Sequence, residues 1–123
     1  MVDVAKKLHE VLDSLPEGVR LVAISKFHPK EYVEVAYREG QRIFGESHEQ
    51  ELMQKVSALP KDVDWHFIGH LQTNKVKYIV PYITMIESCD SVKLMREIEK
   101  QAAKCGRIIK ILLELHIAEE ATK

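Results

Sequence analysis

Ile108-Ile109-Lys110-Ile111-Leu112-Leu113-Glu114-Leu115-His116-Ile117 is the stretch that separates two candidate folds. Read as a strand with regular alternation, it puts Lys110, Leu112, Glu114 and His116 on one face and Ile109, Ile111, Leu113, Leu115 and Ile117 on the other. Shorter apolar runs precede it, with strands predicted to begin near Leu21, Ile43, Asp64 and Thr84, and a helical pattern separates each from the next. That is the alternation of parallel α/β folds. Two architectures fit: an open, doubly wound sheet of five strands, or successive units of a (β/α)8 TIM barrel. The half-polar face of the last strand leans toward the barrel, whose functional groups gather at the C-terminal strand ends, although an edge strand facing water carries the same pattern.

The helices are read from apolar spacing and stop signals. Val4, Leu8, Val11, Leu12 and Leu15 form one stripe ending before Pro16. Leu21 to Ile24 is apolar on both faces and predicts a strand covered on both sides. Pro29 opens a helix for which Gly40 is the stop. Ser47 and Gln50 have capping-box spacing, with Glu49 and Glu51 where a helix dipole favours negative charge, so Ser47 is expected to cap a helix whose buried stripe is Leu52, Val56 and Leu59. A short helix carrying Val76, Ile79 and Val80 stops at Pro81. Ser88 to Ser91 offers N-caps for a helix with Val92, Met95, Ile98, Ala102 and Cys105 inward and Gly106 at its end.

Composition restricts the function classes. The 123 residues are 46% hydrophobic and 30% charged, with 18 Lys+Arg against 19 Asp+Glu, the profile of one globular domain spanning 1–123. The near-zero net charge argues against a general nucleic-acid binder. No run approaches the roughly 18 uncharged apolar residues of a membrane span, and the mixed N-terminus argues against a signal peptide. Cys89 and Cys105 read as small buried hydrophobes in a reducing, cytoplasmic compartment.

Lys26 is the most informative single residue. It closes an apolar strand at the sheet edge where α/β folds place ligand groups, and an amine with a reference pKa of about 10.4 becomes a carbonyl nucleophile when its surroundings favour the neutral form. A solvated lysine opening a loop is the plainer alternative. In Trp65-His66-Phe67-Ile68-Gly69-His70-Leu71-Gln72-Thr73-Asn74-Lys75, alternation sets His66 opposite Trp65 and Phe67, as an interior histidine with a satisfied hydrogen bond. The spacing of His66 and His70 on a strand and turn does not make a zinc pair.

Four segments together, L-V-A-I-S-K (Leu21 to Lys26), F-G-E-S (Phe44 to Ser47), W-H-F-I-G-H-L-Q-T-N-K (Trp65 to Lys75) and A-E-E-A-T-K (Ala118 to Lys123), closely resemble the YggS/PROSC family of pyridoxal phosphate homeostasis proteins. The resemblance implies a pyridoxal-phosphate-binding barrel like the N-terminal domain of alanine racemase. It implies that Lys26, matching the lysine of the family's S-K pair, forms a Schiff base with pyridoxal 5'-phosphate, and that Ser47, His66 and His116 lie in the cofactor region. Ser47 stands where the family usually has asparagine, and His116 where it favours asparagine.

The family's phosphate-holding S-M-G-M-S and R-I-G segments do not occur in these residues. The phosphate anchor is therefore expected to be absent, leaving Lys26 capable only of weak, reversible imine formation. A barrel of about 250 residues also exceeds this chain, so the strands are expected to be its first half plus one. Three functions follow as alternatives: the N-terminal part of a cofactor carrier in vitamin B6 homeostasis, a racemase-like enzyme, or a cofactor-free interaction domain. Unpaired strand edges predict a homo-oligomer.

Overall fold

The computed structural model describes residues 3–114. His116, the last residues of the long apolar run and the A-E-E-A-T-K segment lie outside them. The elements are α1 (Val4–Ser14), β1 (Ala23–Ile24), α2 (Lys30–Arg38), β2 (Ile43–Glu46), α3 (Glu49–Ala58), β3 (Asp64–Phe67), α4 (Val76–Ile79), β4 (Ile83–Cys89), α5 (Val92–Cys105) and β5 (Lys110–Leu113). A 3-10 turn at Thr73–Lys75 runs into α4. The sheet has five strands in the order β1-β2-β3-β4-β5, every neighbouring pair parallel. A doubly wound sheet must reverse its strand order at a switch point. Among the described residues the order never reverses, so these five strands are not doubly wound, and right-handed crossovers taken always in one direction lay their helices on one side of the sheet.

The register assigns each strand residue to a face. Ala23, Phe44, Trp65 and Ile83 are paired in one row, and Glu46, Phe67, Ile86 and Ile111 in another. These rows face the helices, where Leu8, Val33, Leu52, Val76, Ile79, Leu94 and Ile98 complete the core. Between them runs Ile24, Gly45, His66, Met85 and Lys110, on the opposite face. That face has no helical cover among the described residues: Ile24 is 51% exposed, and Lys110 and Leu112 are exposed. The expectation that Leu21 to Ile24 is covered on both sides fails for this reason, and the strand there shortens to Ala23–Ile24. On β5 the predicted alternation holds through Ile109 and Ile111, which lie against the core, but not at Leu113, which is exposed beyond the register shift opposite Ile86 and Cys89.

Several helix ends follow the sequence. Asp3 accepts the Lys6 N–H at 3.0 Å to cap α1, Ser91 Oγ accepts the Leu94 N–H at 3.1 Å to cap α5, and Gly106 ends α5 in the left-handed region at φ 65°, which glycine adopts without steric cost. Two expectations are corrected. In α5 the buried stripe is Leu94, Ile98 and Ala102, whereas Val92 in the first turn and Cys105 in the last are exposed. And α3 begins at Glu49 with His48 as its N-cap and no side-chain cap bond, so Ser47 caps nothing. Ser47 is instead held against the loop after β3, as described next.

Candidate functional site

Lys26 sits in a tight turn at the C-terminal end of β1. The Ser25 N–H continues the ladder to the Gly45 carbonyl at 3.0 Å, and the His28 N–H closes the turn on the Ser25 carbonyl at 3.1 Å. Between them Phe27 adopts φ 65°, the left-handed region that costs a residue with a Cβ about 1–2 kcal/mol. Phe27 is 73% exposed, so burial does not compensate for the strain. Two hydrogen bonds hold it: the one from the His28 N–H that closes the turn, and the Phe27 N–H donating to Glu51 Oε2 at 2.6 Å.

Behind the turn lies a buried ionic cluster. Lys55, only 3% exposed, donates its three N–H groups to the Ser25 carbonyl at 2.6 Å, Glu46 Oε2 at 2.8 Å and Glu51 Oε2 at 3.0 Å. Ser25 Oγ also donates to Glu46 Oε2. Glu46 is fully buried because the register turns it toward the helices, and its other oxygen, Oε1, has no hydrogen-bond partner among the described residues. Burial pushes the Glu46 carboxyl above its ordinary value, against the opposing pull of the hydrogen bonds from Lys55 and Ser25 and the Lys55 charge.

In front of the turn is a cleft of about 700 Å³ lined by Lys26, Ser47, His48, Gly69, His70 and Lys75, among others, a size suited to a small organic ligand. Its walls are the strand ends and loops after β1, β2 and β3. Gly69 makes this convergence possible: a Cβ there would stand 2.5 Å from the Ser47 carbonyl oxygen and 2.8 Å from its Cα. Among the cleft's cations, Lys75 is engaged by Glu49 at 3.7 Å, whereas Lys26 makes no ion pair among the described residues. Lys26 is half-buried, its Nζ 6.0 Å from the centre of the Phe27 ring.

The structure therefore brings Lys26 and Ser47 to one cleft. It places His66 elsewhere, on the uncovered face of the sheet, where Nδ1 meets Glu87 Oε2 at 2.9 Å and Nε2 lies 3.6 Å from Asp64 Oδ1. That is the satisfied interior histidine the alternation predicts, and no group of three or more metal-ligating side chains occurs among the described residues. Sequence reading missed Glu46, Glu51 and Lys55. A signal existed for the last: Lys55 stands three residues after Leu52 and four before Leu59, on the buried stripe, where a lysine requires a partner.

No family model matches the chain. Individual proteins do. It is 40% identical over 105 residues to the pyridoxal phosphate homeostasis protein of Aquifex aeolicus, covering 85% of this chain and 46% of that one, and 39% identical over 113 residues to the human protein of the same name, covering 85% and 41%. The structure of PipY from Synechococcus elongatus PCC7942 with PLP bound superposes with a TM-score of 0.87 at 36% identity, over 94% of this chain and 55% of that one. Over most of its length the chain is thus similar to the pyridoxal phosphate homeostasis proteins. It spans about half the length of the curated relatives it matches. PipY without PLP matches as well, with a TM-score of 0.88. No helix among the described residues is long and apolar enough to cross a membrane.

Proposed function

We propose that this chain carries the lysine side of a pyridoxal phosphate site and serves pyridoxal phosphate homeostasis, its five strands forming part of a (β/α)8 barrel. The observation that carries the reading is the setting of Lys26: an amine without an ion pair among the described residues, on a strained and hydrogen-bonded turn, opening on a cleft of suitable size. The relatives' names and the PLP-bound PipY structure identify the ligand class. Unreversed strand order supports the barrel, because a sheet that always adds its next strand on the same edge is what closure on itself requires.

The donor set fits the aldehyde end of the cofactor. When bound, pyridoxal phosphate supplies an aldehyde that a neutral primary amine condenses with, releasing water. Lys26 is that amine, and the Ser47 hydroxyl lines the same cleft. His66 lies on the uncovered face of the sheet, tied to Glu87, and His116 lies outside the described residues. In the test, the chain is incubated with pyridoxal 5'-phosphate, reduced with borohydride and digested. The cofactor's mass is expected on the Lys26 peptide and absent from Lys26→Ala; addition at other lysines in proportion to their exposure would refute the assignment.

Association of the chain with itself is a second reading, favoured by the apolar side chains left on the two edge strands, Ile24 on β1 and Leu112 and Leu113 on β5, all exposed. Unpaired edges with apolar side chains are pairing surfaces. Sedimentation velocity over a concentration series is expected to show a dimer or larger species, and a monomer at the highest concentration would rule it out.

A further inference from the structure

We propose that Glu51 is a positioning residue for Lys26, gripping the peptide group that follows it while Lys55 grips the one before it. The inference rests on the cofactor reading above for its purpose, though not for its geometry. Lys26 has two backbone neighbours, and each is held by the same buried cluster. The Ser25 carbonyl accepts from Lys55 Nζ at 2.6 Å, and the Phe27 N–H donates to Glu51 Oε2 at 2.6 Å. Glu51 and Lys55 are joined to each other at 3.0 Å, one helical turn apart on α3, so both grips belong to one rigid element.

The strain at Phe27 shows what the grip does. A phenylalanine in the left-handed region relaxes to an extended or right-handed conformation unless surrounding contacts hold it, and that rotation would redirect the chain at Lys26 away from the cleft. Two hydrogen bonds restrain this residue, the turn's own from the His28 N–H to the Ser25 carbonyl at 3.1 Å and the one to Glu51, while Phe27 itself is largely in solvent, with His48 5.3 Å away between ring centres. A hydrogen bond to a charged acceptor is comparable in strength to the cost of the left-handed backbone. Removing the carboxylate therefore leaves the strained turn to the single Ser25–His28 bond, and it loosens. Lys55 is bound to Glu46 as well, which ties the α3 grip to the strand that leads into Ser47.

Glu51→Ala tests this without emptying the core, because the Glu51 side chain is 21% exposed and Lys55 retains Glu46. Two measurements are made on the chain and the variant: amide hydrogen exchange at Phe27, and the initial rate at which pyridoxal 5'-phosphate is trapped on Lys26 by borohydride. Glu51→Ala is expected to accelerate exchange at Phe27 and slow trapping at Lys26, each by about tenfold or more, while exchange in β3 stays unchanged. Glu51→Gln, which keeps an acceptor oxygen, restores most of both. Unchanged exchange at Phe27, or faster exchange with undiminished trapping, overturns the proposal. If the unaltered chain takes no cofactor on Lys26, the cofactor reading fails, and exchange at Phe27 alone then decides whether Glu51 holds the turn.

Discussion

Replacing Lys55 with methionine probes the buried cluster most directly. Lys55→Met keeps an unbranched apolar stem one atom shorter than lysine and deletes three hydrogen bonds, those to the Ser25 carbonyl, Glu46 and Glu51. Glu51 is partly exposed and regains water; Glu46 is fully buried and does not. Removing one member of a buried ion pair costs about 3–5 kcal/mol, and we expect the lower half of that range because Ser25 Oγ still donates to Glu46. The cost depends on pH with a definite sign. The folded Glu46 carboxyl titrates above its ordinary value, so the folded state holds its proton more tightly than the unfolded chain. Its contribution is complete below the unfolded value and is lost as pH rises through the folded one. Without Lys55, which opposes that rise, the folded value climbs further. The deficit of Lys55→Met relative to the unaltered chain is therefore larger near about pH 7.5 than near about pH 5. Urea unfolding followed by circular dichroism at both pH values measures it. A deficit below about 1 kcal/mol, or one equal at the two pH values, would refute the assignment of a charged, buried Lys55–Glu46 pair.

Phe27→Gly is expected to leave stability unchanged or raise it by up to about 1 kcal/mol, because glycine adopts φ 65° freely and little burial is lost, whereas Phe27→Val lowers it by about 1 kcal/mol or more, a β-branched residue being worst there; equal urea midpoints for the two variants would contradict the strain. Gly69→Ala places a methyl group 2.5 Å from the Ser47 carbonyl oxygen, so the loops after β2 and β3 must separate. A loss of about 1–3 kcal/mol in unfolding free energy is expected, along with slower trapping of pyridoxal 5'-phosphate at Lys26.

The strands were legible because their apolar runs are short, evenly spaced and separated by helix stops that operate locally, as Ser91 and Gly106 do for α5. Strand order was not, since it depends on which edge each new strand joins, and no residue records that. Ser47 shows where a local rule loses. Its spacing to Gln50 fits a capping box, but the backbone of Ser47 is committed to the contact at Gly69, so α3 starts at Glu49 with nothing capping it. Lys26 was legible from position alone, at the end of an apolar strand. The turn that presents it was not, because Phe27 has no composition signal for a positive φ; glycine or asparagine would have given one.

The buried charges and the strained turn explain each other. An apolar pair in place of Lys55 and Glu46 would fill the same space, and such replacements are often no less stable than the ion pair. Stability alone therefore gives little reason for charge at these positions. Apolar side chains, however, have no donor for the Ser25 carbonyl and would leave Glu51 without the ammonium that fixes its carboxylate under the Phe27 N–H. The turn would then relax toward an ordinary backbone conformation, and Lys26 would lose its fixed aim while the core remained packed. What the cluster adds over a greasy equivalent is direction: it converts the position of α3 into the orientation of one amine at the mouth of the cleft.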